Sequence, residues 1–490
     1  MAKDQIRAGR LDAQRSKEIE DYLSSMEADK QISSSDIRVD MAHILMLEKQ
    51  GFIDKQSAKK LLSALNKYMD EGLPADAFDV DREDIHAGIE AVLINDAGAD
   101  AGGRMHLGRS RNDEVATCLK MRTRELILET LSGTFELRRA LISRAEENLN
   151  TIMPGFTHLQ HAQPTTLAHY LLAYENLFSR DSARLFDAYA RLNKSPLGSA
   201  AFAGTGFDLD RNLTADYLGF ISPVENSMDA VANRDFIVET ISDLAILMTN
   251  ISRMCEELIL WSTAFVKFVN LNDAYCSTSS IMPQKKNPDT LEIMRAKSAA
   301  VIGELTAALT LIKSLPMSYN RDLQDLNPHL WNAFKQTNSS LPLLAEIIDT
   351  AEFDETAMKK QAKAGNTTAT ELADHLVREY GLPFRTAHNI VGRAVKLGSL
   401  DLKTVEEAAK ETAKISLVEK GLTDTEISNV LNPKDIIKHK KTYGSPNPRL
   451  MKKAVQAADV RLVQDEVTSD MMSDQLSEAD EKIKSAISEL

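Results

Sequence analysis

Four polar stretches stand out from a chain otherwise rich in helix-forming residues. The first, Gly108-Arg109-Ser110-Arg111-Asn112-Asp113, opens a helical run. Free N–H groups at a helix start, flanked by two arginines, suit a carboxylate. The same residues also read as a plain cap, with Asp113 or Asn112 on the helix and the arginines paired to surface acids. The second stretch, from Pro154 to Pro164, carries Thr157, His158 and Gln160. Pro154-Gly155 ends one helix and Pro164 suits the first turn of the next, which leaves these three on an irregular segment. An imidazole beside a hydroxyl suits proton transfer; a structural histidine is an equal reading. His158 and His161 do not extend to a metal set, because no further His, Cys or carboxylate cluster follows nearby.

The third stretch is Ser277-Thr278-Ser279-Ser280-Ile281-Met282-Pro283-Gln284-Lys285-Lys286-Asn287-Pro288. Four hydroxyls in a row form helix poorly, and two prolines bracket a dibasic pair and an amide. This composition reads either as a polar loop able to close over an anion, or as a plain flexible Ser/Thr loop. A helix is expected from about Asp289. The fourth, Met317 to Gln324, follows a long helical pattern ending near Leu315 and is unremarkable by itself.

The elements that must position these stretches are helices. Leu291, Met294, Ser298, Val301, Leu305, Ala308, Ile312 and Leu315 alternate spacings of three and four. Ile237, Ile241, Leu244, Met248, Ile251, Cys255 and Leu258 do the same, while Leu171, Phe178, Leu185 and Leu192 recur every seven. Such stripes predict long amphipathic helices packed in a bundle. Shorter patterns precede it (Ile37 to Gln50; Ser57 to Met69 with Ser57 as N-cap). Segments broken at Gly381, Gly398, Gly421 and Gly444 follow it. An all-α fold results, with an N-terminal helical domain over 1–112, a central bundle over 113–363 and a C-terminal helical domain over 364–490.

Among 490 residues, Gly and Pro together number 35, about half of average usage, which argues against a turn-rich β fold. The formal net charge of −14 excludes the basic footprint of a nucleic-acid binder. An anionic substrate stays compatible with it, since a pocket can be locally basic. Three scattered cysteines form neither a disulfide framework nor a thiolate zinc site. Apolar runs reach about five residues, as in Leu244 to Met248, too short to span a membrane. With no signal-like start, a cytoplasmic protein is expected.

Taken together, the polar stretches resemble the fumarase/aspartase superfamily and, within it, the argininosuccinate lyase branch with its δ-crystallin relatives. The resemblance is close at Arg-Ser-Arg-Asn-Asp (109–113), Thr-His-Leu-Gln (157–160) and Ser-Ser-Ile-Met-Pro-Gln-Lys-Lys-Asn-Pro (279–288). It extends to Ala-Gly-Arg-Leu (8–11), Asp84-Ile85-His86, Asn226-Ser227-Met228-Asp229, Tyr-Asn-Arg-Asp-Leu-Gln (319–324) and Pro383 to His388. The Gln-Lys-Lys-Asn-Pro ending is similar to the argininosuccinate branch rather than to fumarases or adenylosuccinate lyases.

The resemblance implies β-elimination of argininosuccinate to arginine and fumarate, in arginine biosynthesis. It also implies a homotetramer whose sites each combine segments of three subunits. Ser279 and His158 would be the acid–base pair, with Ser279 favoured as base and His158 as acid; Glu292 would orient the histidine. Lys285, Asn287, the loop amides and the Arg109–Asn112 helix start would stabilise the carbanionic intermediate. Thr157, Ser110, Arg111 and Asn112 would bind the succinate end; Ser25, Tyr319 and Gln324 the arginine end, with Asp29 nearby. No metal or organic cofactor is expected. Two residues depart from the family pattern: Thr278 stands where glycine is usual, and Asn327 where a lysine usually meets the amino-acid carboxylate. A different superfamily lyase, such as adenylosuccinate lyase, lacks support in any Gly-rich phosphate cradle. A silent crystallin-type protein would have no need of His158, Ser279 and Lys285.

Overall fold

The computed structural model describes residues 15–490, and the Ala-Gly-Arg-Leu stretch at 8–11 lies outside them. Helix accounts for 70% of it and strand for 5%. Twelve helices of twelve residues or more are numbered here in chain order. They are α1 Ser33–Lys49, α2 Lys55–Glu71, α3 Ile85–Ala97, α4 Arg111–Glu147, α5 Leu167–Leu192 and α6 Asp235–Ser262. Then follow α7 Asp289–Ile312, α8 Leu326–Thr350, α9 Ala369–Tyr380, α10 Phe384–Leu397, α11 Leu402–Ala413 and α12 Pro448–Ser488.

Helices α4 to α8 form the bundle, with α4 packed on α5 and α8, and α7 on α6 and α8. The periodic stripes face its core: Leu171, Phe178, Leu185, Ile241, Leu244, Met248, Leu258, Leu291, Met294 and Val301 are all buried. Helix α4 is enclosed on several sides, so even its polar residues must be satisfied internally. Thr117, Thr123, Thr130 and Thr134 each donate to the carbonyl four residues earlier. The buried Arg124 donates to Asn193 Oδ1 (2.7 Å) and to the carbonyls of Leu218 and Gly219.

The N-terminal helices α1 to α3 share one continuous core with the bundle. A second, separate core is built from Leu372 through Ile427 across α9, α10 and α11. Helix α12, grouped with that C-terminal part in the sequence reading, instead packs on α4 and α5. The buried Arg138 explains the return: it pairs with Glu175 (3.2 Å) on α5 and Asp465 (2.6 Å) on α12.

Two local expectations are corrected. Helix α2 starts at Lys55, and its cap is Asp54, whose carboxylate accepts from the Ser57 N–H (2.9 Å) and hydroxyl (2.7 Å). The segment around His158 is a β-hairpin rather than an irregular link. Strand β1, Ile152–Thr157, pairs antiparallel with β2, Gln160–Thr166, and Pro154 faces Pro164. Both prolines fit a two-stranded ribbon because each strand has an edge with no hydrogen bonds to make. Helix α5 begins only at Leu167, capped by Thr166, so Pro164 lies in β2 and not in the first turn of the helix.

Candidate active site

The expected site residues fall into three groups along the bundle. The first sits at the start of α4. Ser110 is the N-cap: its hydroxyl accepts from the Asn112 N–H (3.3 Å) while Asp113 accepts from the Ser110 N–H (2.9 Å). Asp113 also receives the Gly198 and Ala200 amides (both 2.9 Å), which fixes the neighbouring loop. Asn112 donates to the Ala201 carbonyl (3.1 Å). Arg109 is not available to a ligand, against the expectation for this helix start. It is buried and paired with Asp40 and Glu114. Arg111 turns the other way, to Asp84 (3.3 Å), and keeps part of its guanidinium open to solvent.

Ser25, Asp29 and Gln324 meet close by. The Ser25 hydroxyl donates to Asp29 (2.5 Å), Gln324 donates to Ser25 (3.4 Å), and Arg321 donates to Gln324 (3.0 Å). Burial pushes the Asp29 carboxyl up to about 6, partly offset by the charge of His86 and the Ser25 hydroxyl. Half-buried Tyr319 belongs here too, since Arg234, Asp84, Arg321 and Asp29 all act on its phenol.

The second group is the tip of the β1–β2 hairpin. Thr157 pairs with Gln160, which leaves His158 and Leu159 as the two turn residues, at φ 56° and 57°. Two-residue turns of this hand ordinarily use Asn-Gly, because a Cβ is strained there by roughly 1–2 kcal/mol per residue. A histidine held in that conformation and exposed is a mark of function rather than of packing. Among the described residues, His158 has no hydrogen-bond or ion-pair partner within the chain.

The third group is the loop before α7. Ser277-Thr278 pairs antiparallel with Lys286-Asn287, so the loop stands as a narrow-necked finger. Thr278 sits in that neck with an extended backbone, where a β-branched residue fits and glycine is not required. The Ser279 hydroxyl oxygen accepts from the Met282 N–H (3.0 Å) and the Ile281 N–H (3.3 Å). Lys286 anchors the finger to Asp273 (2.6 Å) and to the Leu271 carbonyl. Lys285 is left exposed; Asn287 lies in the neck beside Ser277 (3.5 Å), and Glu292 is exposed on the first turn of α7.

The hairpin tip and the finger lie at one end of the bundle, and the Asn112–Tyr319 group lies at the other. Helix α4 separates Asn112 from His158 by roughly 55 Å at 1.5 Å per residue. Helix α7 separates Glu292 from the Tyr319 group by roughly 30 Å.

A general lyase family model matches residues 9–303, and the model of the argininosuccinate lyase C-terminal region matches 366–438. The argininosuccinate lyase of Methanocorpusculum labreanum is 78% identical over the whole of both chains. The chain belongs to the argininosuccinate lyase family. The argininosuccinate lyase of Methanoculleus marisnigri is 58% identical, covering 94% of this chain and 93% of its own. Among solved structures, an EDDS lyase variant with bound fumarate superimposes with a TM-score of 0.86 at 28% identity, over 99% of this chain and 98% of that one. A class II fumarase from Schistosoma mansoni shares the fold at 0.71 and 16% identity, over 84% of this chain and 91% of that one. As an argininosuccinate lyase, the chain is a carbon–nitrogen lyase acting on a small-molecule substrate. Among the described residues, no helix is long and apolar enough to cross a membrane.

Sequence reasoning missed a buried polar cluster that adjoins the Ser25–Asp29–Gln324 group. Asp36, Asp40, His86, Arg109, Glu114 and Cys118, far apart in sequence, form one buried cluster. Two subsets, Asp36/His86/Cys118 and Asp36/Asp40/Glu114, bring ligand-type atoms within 4.8 Å of one another. Two cations already occupy the cluster. Burial opposes charge on His86, but Asp36 (2.9 Å) and Glu114 outweigh it and push the imidazole up to about 10. Arg109 supplies the second positive charge. The matched Asp84-Ile85-His86 stretch was the available signal: Asp84 faces the site and His86 faces the cluster.

Proposed function

We propose that this argininosuccinate lyase works in the cytoplasm as a homotetramer, releasing fumarate and arginine from argininosuccinate for arginine biosynthesis. Full-length identity of 78% to a curated argininosuccinate lyase carries the reaction. The assembly is argued from the two-ended distribution of site residues. One chain holds Asn112, Arg111, Tyr319 and Gln324 at one end of the bundle and His158, Ser279 and Lys285 at the other. A complete site therefore forms where bundle ends of different copies meet. The exposed Ile302 and Leu309, seven residues apart on one side of α7, supply an apolar face for that contact.

In the proposed site, Ser279 removes the proton next to the succinate carboxylate. The Ile281 and Met282 amides already aimed at its oxygen stabilise the alkoxide that this role requires. Lys285, Asn287 and the loop amides hold the charge that builds on the aci-carboxylate. His158, oriented by Glu292, donates a proton to the departing guanidinium nitrogen. Thr157, Ser110, Arg111 and Asn112 hold the succinate carboxylates, while Ser25, Asp29, Tyr319 and Gln324 hold the arginine half. Arg111, Lys285 and amide groups hold the succinate carboxylates, and the proposed steps call on no metal or cofactor. Purified protein given argininosuccinate should release fumarate and arginine in equal amounts; failure to release either would refute the reading.

A further inference from the structure

The turn that carries His158 sits on a ribbon of two strands, and such a hairpin is at best marginally stable by itself. Its tip also bears the strain of two left-handed residues, His158 and Leu159. The direction of the turn must therefore be imposed by contacts with the rest of the chain. At the root, the Thr151 hydroxyl donates to Glu355 (3.2 Å). Glu355 opens a short helix, Glu355–Ala362, which packs along β1 and has Met358 and Ala362 buried.

The second anchor is His161, a histidine that no catalytic or metal role has claimed. It lies opposite Phe156, with only the Thr157–Gln160 pair between it and the turn. Three contacts converge on its side chain. Nε2 donates to the Gln361 side-chain oxygen (3.0 Å), in the last turn of the short helix. The ring meets that of Phe156, with centroids 5.2 Å apart. The third contact is Gly365, at φ +61°, where an added Cβ would come within 3.1 Å of the His161 Cβ and 3.2 Å of its Cγ. Only glycine lets the backbone of this segment, which leads on to α9, close upon the histidine. An exposed hydrogen bond such as that to Gln361 adds little to overall stability, so the convergence is better suited to aiming the strand than to holding the fold.

We propose that His161 is a positioning residue: it ties the hairpin to Gln361 and Gly365 and so fixes where the His158 imidazole is presented. This rests on the argininosuccinate lyase reading, with His158 as the acid. At roughly 3.3 Å per residue, the anchor lies about 10 Å from His158, so a tilt of about 6° there moves the imidazole by about 1 Å. A misplacement of that size costs about 10²-fold in rate.

The test compares wild-type protein with His161→Ala, His161→Gln, Gln361→Ala and the double alanine variant, in steady-state and single-turnover fumarate release from argininosuccinate. His161→Ala should lower kcat by about 10- to 100-fold, with KM within about threefold and the unfolding midpoint unchanged. His161→Gln, whose amide nitrogen can reach Gln361 in place of Nε2, should stay within about threefold of wild type. Gln361→Ala should lose less than His161→Ala, because the Phe156 and Gly365 contacts remain. The double variant should be no slower than His161→Ala, since the two residues act as one unit. An unchanged kcat in His161→Ala, a loss confined to KM, or full additivity in the double variant would overturn the proposal. So would an unfolding midpoint that falls in step with the rate across the variants. If His158→Ala turns over normally, the imidazole needs no positioning and the proposal falls while the lyase reading stands. If wild-type protein releases no fumarate, the lyase reading itself fails, which is a distinct outcome.

Discussion

Asn112 and His158 stand at opposite ends of α4, one beside the cap of its first turn and the other on the hairpin that follows its last. A rigid helix of 37 residues forbids their meeting within one chain. Any site using both is therefore composite, and the consequences can be measured.

Ser279→Ala should bind argininosuccinate nearly as wild type does while turning it over ~10²–10⁴-fold more slowly. Binding in single-turnover or calorimetric experiments separates the two effects. Turnover close to wild type would move the base role to another residue.

Two arginines two residues apart should behave oppositely. Arg109→Met strands Asp40 and Glu114 in the interior and should cost about 3–5 kcal/mol, read as a lower denaturant midpoint. Arg111→Met removes a partly solvated pair with Asp84 and should cost about 1 kcal/mol or less, yet impair catalysis strongly. Equal unfolding midpoints for the two variants would contradict this division of labour.

Asp29 supplies a pH signature. Its carboxyl, lifted from 3.8 to about 6 by burial, keeps its proton in the native state where an unfolded chain would lose it. Stability from this group therefore falls as pH rises between about 4 and 6 and stays lower above that window. Asp29→Asn should raise the melting temperature at pH 7.5, by the equivalent of about 2–3 kcal/mol, and leave it unchanged near pH 4. The same variant should lose activity, since the positively charged arginine end loses its counter-charge. Identical melting at pH 7.5 would show that the carboxyl is not penalised.

The bundle was legible because its stripes record burial directly: Ile241, Leu244 and Met248 repeat at helical spacing and all face inward. The hairpin at His158 was not, because Pro154 and Pro164 signal a break without saying what replaces the helix. Two short strands stabilised mainly by each other leave little periodicity. The chemical residues could be named from their motifs, whereas the fate of Arg109 could not. Whether an arginine meets ligand or a buried acid depends on Asp40, some seventy positions away, and only packing brings the two together.

The most direct test of the composite site is subunit mixing between a variant damaged at each end. His158→Ala and Asn112→Asp should each be nearly inactive as pure oligomers. Unfolded together in equal amounts and refolded, they form sites at random. A site is intact only when its His158 comes from one variant and its Asn112 from the other. Roughly a quarter of wild-type activity should return. No recovery, with mixed oligomers demonstrated by mass spectrometry, would mean that both residues serve the site from a single chain and would contradict the account.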